Sequence, residues 1–208
     1  TPLTSIAGSL GLIAGGAAGA LPDKASRLIT IAQSNSQRLV RLINDVLDLE
    51  KIESGKLPFD FQSLELREIA QRAIDGVRGY ADQLGVELEL KDGPTATVRG
   101  DADRVVQIIT NLLSNAAKYS PKGMAVTVKV QRDGPTARLT VSDRGPGIPE
   151  AFRDRIFSRF AQADASDARG KSGTGLGLYI AHEIAERDRK STRLNSSHIP
   201  LSRMPSSA

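Results

Sequence analysis

The chain has 208 residues, 39% hydrophobic and 25% charged, with two histidines, no tryptophan and no cysteine. That length accommodates one ordinary domain and a smaller one, and the lack of cysteine excludes a disulfide scaffold and a thiolate metal site. The formal charge of +4 is carried by Arg189, Lys190, Arg193 and Arg203 in an acid-free tail, so residues 1–188 are balanced and the isoelectric point near 9.5 is no argument for nucleic-acid binding.

Within the uncharged stretch 1–22, the run "GSLGLIAGGAAGAL" (8–21) is too short and too rich in glycine to span a bilayer, so no membrane segment is expected in the chain. No signal peptide is visible. The chain opens at Thr1 inside an apolar-periodic pattern and so reads as a fragment whose upstream part is missing.

Residues 1–57 read as a helical hairpin. Leu3, Ile6, Leu10, Ile13 and Ala17 recur at spacings of three and four, and the run from Gly15 to Asp23 makes a turn. In the longer helix that follows, Leu28, Ala32, Asn35, Leu39, Leu42, Val46 and Leu49 lie in heptad register. The seam is expected to serve a homodimer that completes a four-helix bundle. The alternative is a seam against the rest of the same chain. Asn35 either fixes register or is a tolerated polar residue.

Residues 58–188 alternate between helix and strand. "LPFDF" (57–61) reads as a strand and Leu66–Leu84 as an amphipathic helix. "VELEL" (86–90) and "TATVR" (95–99) read as strands, and Asp101 as the N-cap of a helix running to about Tyr119. "MAVTVKVQ" and "ARLTVSD" form a hairpin around Asp133, Gly134 and Pro135, and a last helix runs from Gly175 to about Arg187. The expected class is α+β: the helical hairpin, then an α/β sandwich with one mixed sheet and helices on one face, cut short at its C-terminus. Residues 189–208 show no periodicity and are expected to be a disordered, foreign tail.

Four stretches carry chemistry. In helix 101–119, Val105, Ile109, Leu112 and Ala116 form a core stripe, while Gln107, Asn111, Asn115 and Lys118 form a polar one. Asparagine is a poor helix former. A solvated face normally carries Glu and Lys, whereas an asparagine carbonyl can ligate Mg²⁺ and a lysine one turn on can meet a phosphate. "DRGPGIPE" (143–150) follows a period-two strand and puts Asp143 on the apolar face of Leu139 and Val141, which is costly unless something pairs with it. "IFSRFAQAD" (156–164) sets Phe157 and Phe160 three apart in a polar loop, either as a local anchor or as a lid beside a ligand. "GTGLGLYIAHEI" (173–184) opens a helix with glycines, where free N–H groups suit an anion; a plain turn is the alternative. Its spacing is neither that of a dinucleotide fingerprint nor that of a P-loop.

In this order the motifs Asn-x-x-x-Asn-Ala-x-Lys-Tyr-Ser, Asp-x-Gly-x-Gly, the Phe pair and Gly-Thr-Gly-Leu-Gly-Leu resemble the ATP-binding domain of sensor histidine kinases. That domain belongs to the superfamily of gyrase and the heat-shock-ninety chaperones. "TPLTSI" and the hairpin resemble the family's dimerisation and phosphoacceptor domain.

The resemblance implies ATP and Mg²⁺ as cofactors. It implies that Asp143 accepts a hydrogen bond from the adenine amine and that Gly145 and Gly147 allow close approach beside Ile148. Asn115 would ligate the metal with Asn111 in support, Lys118 would approach a phosphate, and Tyr119 would lie along the nucleotide. Gly173, Thr174, Gly175, Leu176 and Gly177 would cradle phosphates, and Phe157 and Phe160 would anchor the lid. Thr1 takes the place of a family threonine tied to phosphatase activity, and the acceptor histidine would lie four residues before it. His182 and His198 do not replace that histidine. The implied function is transfer of the ATP γ-phosphoryl to a histidine in a two-component phosphorelay, with a response-regulator receiver domain as partner. The alternative is an ATP-binding and dimerisation fragment that transfers nothing. The expected location is cytoplasmic, with the intact protein either soluble or anchored in the inner membrane.

Overall fold

In the computed structural model the described residues are 2–134, 136–162 and 173–192. Two compact units divide after Gly55. The first holds α1 (Pro2–Ala14) and α2 (Asp23–Glu53), packed on each other. Ala25, Ile29, Ala32, Ser36 and Val40, spaced three or four apart, form a buried or half-buried stripe along α2, with Gln33 half-buried beside it. Leu28, Leu39, Leu42 and Val46 of the heptad set are 67%, 46%, 38% and 39% exposed, and Asn35 is exposed with them.

The second unit follows the expected order with shifted boundaries. β1 (Gln62–Glu65) leads into α3 (Leu66–Leu84), β2 (Glu87–Leu90), β3 (Thr97–Gly100) and α4 (Ala102–Tyr119). β4 (Ala125–Asp133), β5 (Thr136–Ser142), a short α5 (Glu150–Arg153) and α6 (Gly177–Thr192) complete it. β4 is central in a mixed sheet, parallel to β2 and antiparallel to β5, with Val128 opposite Val141 and Val130 opposite Leu139. β1 and β3 form a separate antiparallel pair, so the sheet is in two hydrogen-bonded pieces rather than one continuous ladder. Leu88, Val98, Val126, Val128, Val130 and Ala137 turn one face toward α3 and α4, and α4 lies between α3 and α6.

Two boundaries and one helix face correct the sequence reading. The segment 57–61 is not a strand: Pro58 has no N–H to give, and the Asp60 N–H donates to Asp101 Oδ2 at 2.8 Å. The rings of Phe59 and Phe61 stack on each other at 5.5 Å, and pairing starts at Gln62. In α4, Ile108 and Leu113 are in the core whereas Leu112 is only half-buried, because the helix is rotated slightly from the expected stripe. The last helix begins at Gly177 and continues through Arg189–Thr192, where no glycine or proline interrupts it. Expectations for the loop 163–172 and for the tail from Arg193 lie outside the described residues.

Glu65 caps α3. Its carboxylate accepts from Arg67 N at 3.1 Å, Glu68 N at 2.9 Å and Ala96 N at 3.3 Å, which ties the helix start to the segment entering β3. Burial acts to raise its pKa, but these three N–H groups and the Arg67 charge outweigh it and hold the carboxyl below its ordinary value. A carboxyl whose pKa is lowered by folding contributes stability above its unfolded pKa and loses it as the pH falls through the folded one. Glu65→Ala is therefore expected to cost about 1 kcal/mol at neutral pH. Measured by urea midpoints, the gap from wild type should close as the pH drops below about 4; a gap of constant size down to acid pH would contradict the capping role.

Candidate functional site

The site is built on α4. Asp101 Oδ1 accepts from Asp103 N at 3.0 Å and Arg104 N at 3.1 Å, which fixes the helix start. Val105, Ile108, Ile109, Leu113, Ala116 and Ala117 are buried and fix its rotation. Asn111, Asn115 and Lys118 then lie half-buried on another stripe. Gln107, the first member of that stripe, is held by Arg104, whose Nη1 donates to its Oε1 at 3.0 Å.

The stripe faces the glycine turn. Asn111 Oδ1 lies 3.4 Å from where a Cβ on Gly177 would stand, and Lys118 Nζ lies 3.0 Å from the corresponding point on Gly173. Lys118 Nζ also sits 4.8 Å above the Tyr119 ring, which is 45% exposed. Within the turn, Leu176 N donates to Thr174 Oγ1 at 3.2 Å, and Leu176 is fully buried. The first N–H groups of α6 have no carbonyl a turn earlier within the helix, so the turn presents donors and partial positive charge beside the Lys118 ammonium. Together they form a place for an anion with several oxygens.

Also at the C-terminal end of α4, beside Tyr119, Asp143 Oδ1 accepts from Gly145 N at 2.7 Å. A Cβ on Gly145 would stand 2.8 Å from that oxygen and 3.1 Å from the Tyr119 carbonyl, so glycine is required there by the chain's own atoms. Asp143 is half-buried and keeps its second oxygen as an acceptor. Gly147 has φ 75°, and the half-buried Ile148 accepts at its carbonyl from Arg153 Nε at 3.5 Å.

Residues 157–162 are pinned to the glycine turn and the start of α6. The Phe157 ring lies 5.0 Å from the His182 ring. Arg159 Nη2 donates to the Tyr179 hydroxyl at 3.1 Å, with its guanidinium 5.1 Å from the ring centre. Gln162 Nε2 donates to the Gly173 carbonyl at 2.9 Å. Phe160 is the only described non-glycine residue with positive φ, at 56°. Its backbone presses on Gly175, itself at φ 72°, where a Cβ would come within 2.7 Å of Phe160 C. Phe160 as a residue is 62% exposed, and its close contact with Gly175 is made by its backbone.

Every expected site residue except Thr1, which lies outside the described residues, falls on α4, on the two glycine turns or on the segment over α6. Sequence reasoning missed Arg159, Gln162, Tyr179 and His182. The spacing of Tyr179 and His182 on the helix after the glycines could have flagged the last two, since three residues put them on one face. Among the described residues no group of three or more His, Asp or Glu side chains is placed to hold a metal ion. No helix among them is long and apolar enough to cross a membrane.

Residues 1–55 match the His Kinase A (phospho-acceptor) domain, and residues 100–199 match the family described as histidine kinase-, DNA gyrase B-, and HSP90-like ATPase. The circadian input-output histidine kinase CikA of Synechococcus elongatus is 35% identical over 190 residues, covering 89% of this chain and 25% of the relative. The sensor histidine kinase WalK of Bacillus subtilis is 32% identical over 188 residues, covering 89% of this chain and 31% of the relative. The chain thus spans about a quarter to a third of those relatives. In structure, full-length ShkA in complex with AMPPNP superposes with a TM-score of 0.67 at 24% identity, over 89% of this chain and 38% of that one. The hairpin with its heptad stripe, the α/β sandwich and the ordered asparagine, Asp-x-Gly-x-Gly and glycine motifs therefore have one common explanation: the chain belongs to the sensor histidine kinases and carries their catalytic core.

Proposed function

We propose that this chain works as the catalytic core of an ATP-dependent protein-histidine kinase of a two-component phosphorelay, delivering the ATP γ-phosphoryl to a histidine. The observation that carries the reading is the opposition of α4 to the glycine turn, with Lys118 against Gly173 and Asn111 against Gly177. Asp143, beside Tyr119 at the C-terminal end of the same helix, supports it. The AMPPNP complex of ShkA adds to it.

In this reading, Gly173 to Gly177 and the start of α6 hold the phosphates with Lys118, and Tyr119 flanks the nucleotide. Asn115 holds Mg²⁺ with Asn111 beside it. A single neutral carbonyl fits an ion that keeps water and phosphate oxygens as its other ligands. The ion supplies charge neutralisation on the phosphates. Phe157, Phe160 and Ile148 border the pocket. Asp143 takes the adenine amine on its second oxygen while Gly145 N holds the first. Catalysis of this kind rests on position and charge rather than on a protein nucleophile.

We further read the exposed α2 stripe as the interface of a homodimer. Ile31, Ile43 and Leu47, at 58%, 42% and 52% exposed, widen the apolar face formed by Leu28, Leu39, Leu42 and Val46. A response-regulator receiver domain is the partner for the phosphorylated hairpin, and the cytoplasm the location of the core.

Three outcomes test these assignments. Asp143→Asn keeps an acceptor for Gly145 N but turns the second oxygen into a donor. ATP affinity by calorimetry should fall about tenfold or more, as expected for a charge-assisted hydrogen bond, with the nucleotide-free urea midpoint little changed. Unaltered affinity would remove Asp143 from the base pocket. The chain has two histidines, His182 and His198, neither in the hairpin. Incubated alone with labelled ATP it should bind nucleotide and acquire no acid-labile, base-stable label. Finally, the double substitution Leu39→Glu and Leu42→Glu should yield a monomer by light scattering while leaving ATP binding intact; a monomeric wild type would argue against the dimer.

A further inference from the structure

Among the described residues, two buried side-chain polar atoms lack a hydrogen-bond partner: Ser36 Oγ in the hairpin and Ser120 Oγ in the ATPase unit. Buried polar side-chain atoms are nearly always bonded, so an orphan calls for a cause. Ser120 is 5% exposed. It ends α4, with its N–H donating to Ala116 O at 2.9 Å and its backbone already extended at φ −65° and ψ 143°. Helical serines commonly bond the carbonyl four residues back, as Ser114 does to Thr110 O at 2.7 Å. At Ser120 the chain has already left the helix for extended backbone, and the hydroxyl makes no such bond.

Its place in the fold is beside Asp143. The Tyr119 carbonyl carbon, bonded to Ser120 N, lies 3.4 Å from the Cβ position on Gly145, and Asp143 Oδ1 lies 2.8 Å from the same point. Ser120, bonded to that carbonyl, and the half-buried Asp143 carboxylate therefore belong to one end of the site, both beside Gly145. An adenine presents two adjacent groups on its pairing edge: an amine that donates and a ring nitrogen, N1, that accepts. A carboxylate can serve only the first. A hydroxyl with an uncommitted proton can serve the second. Guanine reverses both, with an oxygen where adenine has its amine and a proton on N1, so a carboxylate paired with a donor discriminates against it.

We propose that Ser120 is a positioning residue for the nucleotide base: its hydroxyl donates to adenine N1, directly or across one water, while Asp143 accepts from the amine. This rests on the ATP-binding reading above. Removing an orphan hydroxyl does not cost the nucleotide-free fold anything, so the variant's stability separates a ligand role from a structural one.

The test is calorimetry on the full chain and its Ser120→Ala variant with ATP and with 1-deaza-ATP, in which N1 is replaced by C–H, together with urea midpoints without nucleotide. Ser120→Ala should weaken ATP binding about five- to tenfold, the range of one neutral hydrogen bond. It should leave 1-deaza-ATP binding unchanged and keep or raise the midpoint. Equal ATP affinity in the two proteins, an equal loss on both nucleotides, or a lowered midpoint would each overturn the proposal. A wild-type chain that binds no ATP overturns the broader reading along with it. A wild-type chain that binds ATP and responds to Asp143→Asn but not to Ser120→Ala overturns this inference alone.

Discussion

The rotation of α4 about its own axis is the constraint on which the site depends. Ile109, Leu113 and Ala117 are 2%, 0% and 1% exposed, packed between the sheet, α3 and α6. Burying each large aliphatic side chain is worth about 1.5–3 kcal/mol. The ion pair that α4 makes with α3, Arg72 to Asp103 at 3.4 Å, is exposed on both sides and worth at most about 1 kcal/mol. The core stripe therefore decides how the helix is turned, and the polar stripe points where that leaves it. Asn111 and Lys118 are brought against the glycine turn by buried residues on the opposite stripe of the same helix.

The opposite wall is set the same way. Leu176, Ile180 and Ile184 are buried to 0–1% and seat α6 against α4. With that helix fixed, the segment over it must meet Gly175 closely, and Phe160 takes a positive φ to do so. Such a backbone costs about 1–3 kcal/mol and persists only where neighbours over-determine it. The ring contact of Phe157 with His182, the Arg159 contact with Tyr179 and the Gln162 bond to Gly173 supply that determination.

Each unit satisfies its own core and leaves one set of groups over. The hairpin buries the Ala25, Ile29, Ala32, Ser36 and Val40 positions and leaves a longer apolar stripe outside. The ATPase unit satisfies its sheet and helix caps and leaves the Ser120 hydroxyl, one oxygen of Asp143 and the donors at the start of α6. Apolar surface calls for another apolar surface, and convergent donors call for an anion. In the function proposed above, a second copy of the chain and a nucleotide answer these two demands.

By itself the sequence determined what is local. Periodicity gave α3 to the residue, the Asp101 cap and the β4–β5 hairpin, because caps, turns and alternation are written in neighbouring residues. The order of short motifs pointed to the family and to the residues of the candidate site. The strand at 57–61 failed because the partner of Asp60 N–H, Asp101, is 41 residues away. The core place of Leu113 rather than Leu112 depended on how α4 sits between two other helices. Tertiary structure alone decided that Gly145 is needed for the Tyr119 carbonyl, that Phe160 anchors through its backbone, and that Ser120 is buried without a partner. Each of these is a contact, or the lack of one, between atoms far apart in the chain, and no pattern of neighbouring residues encodes it.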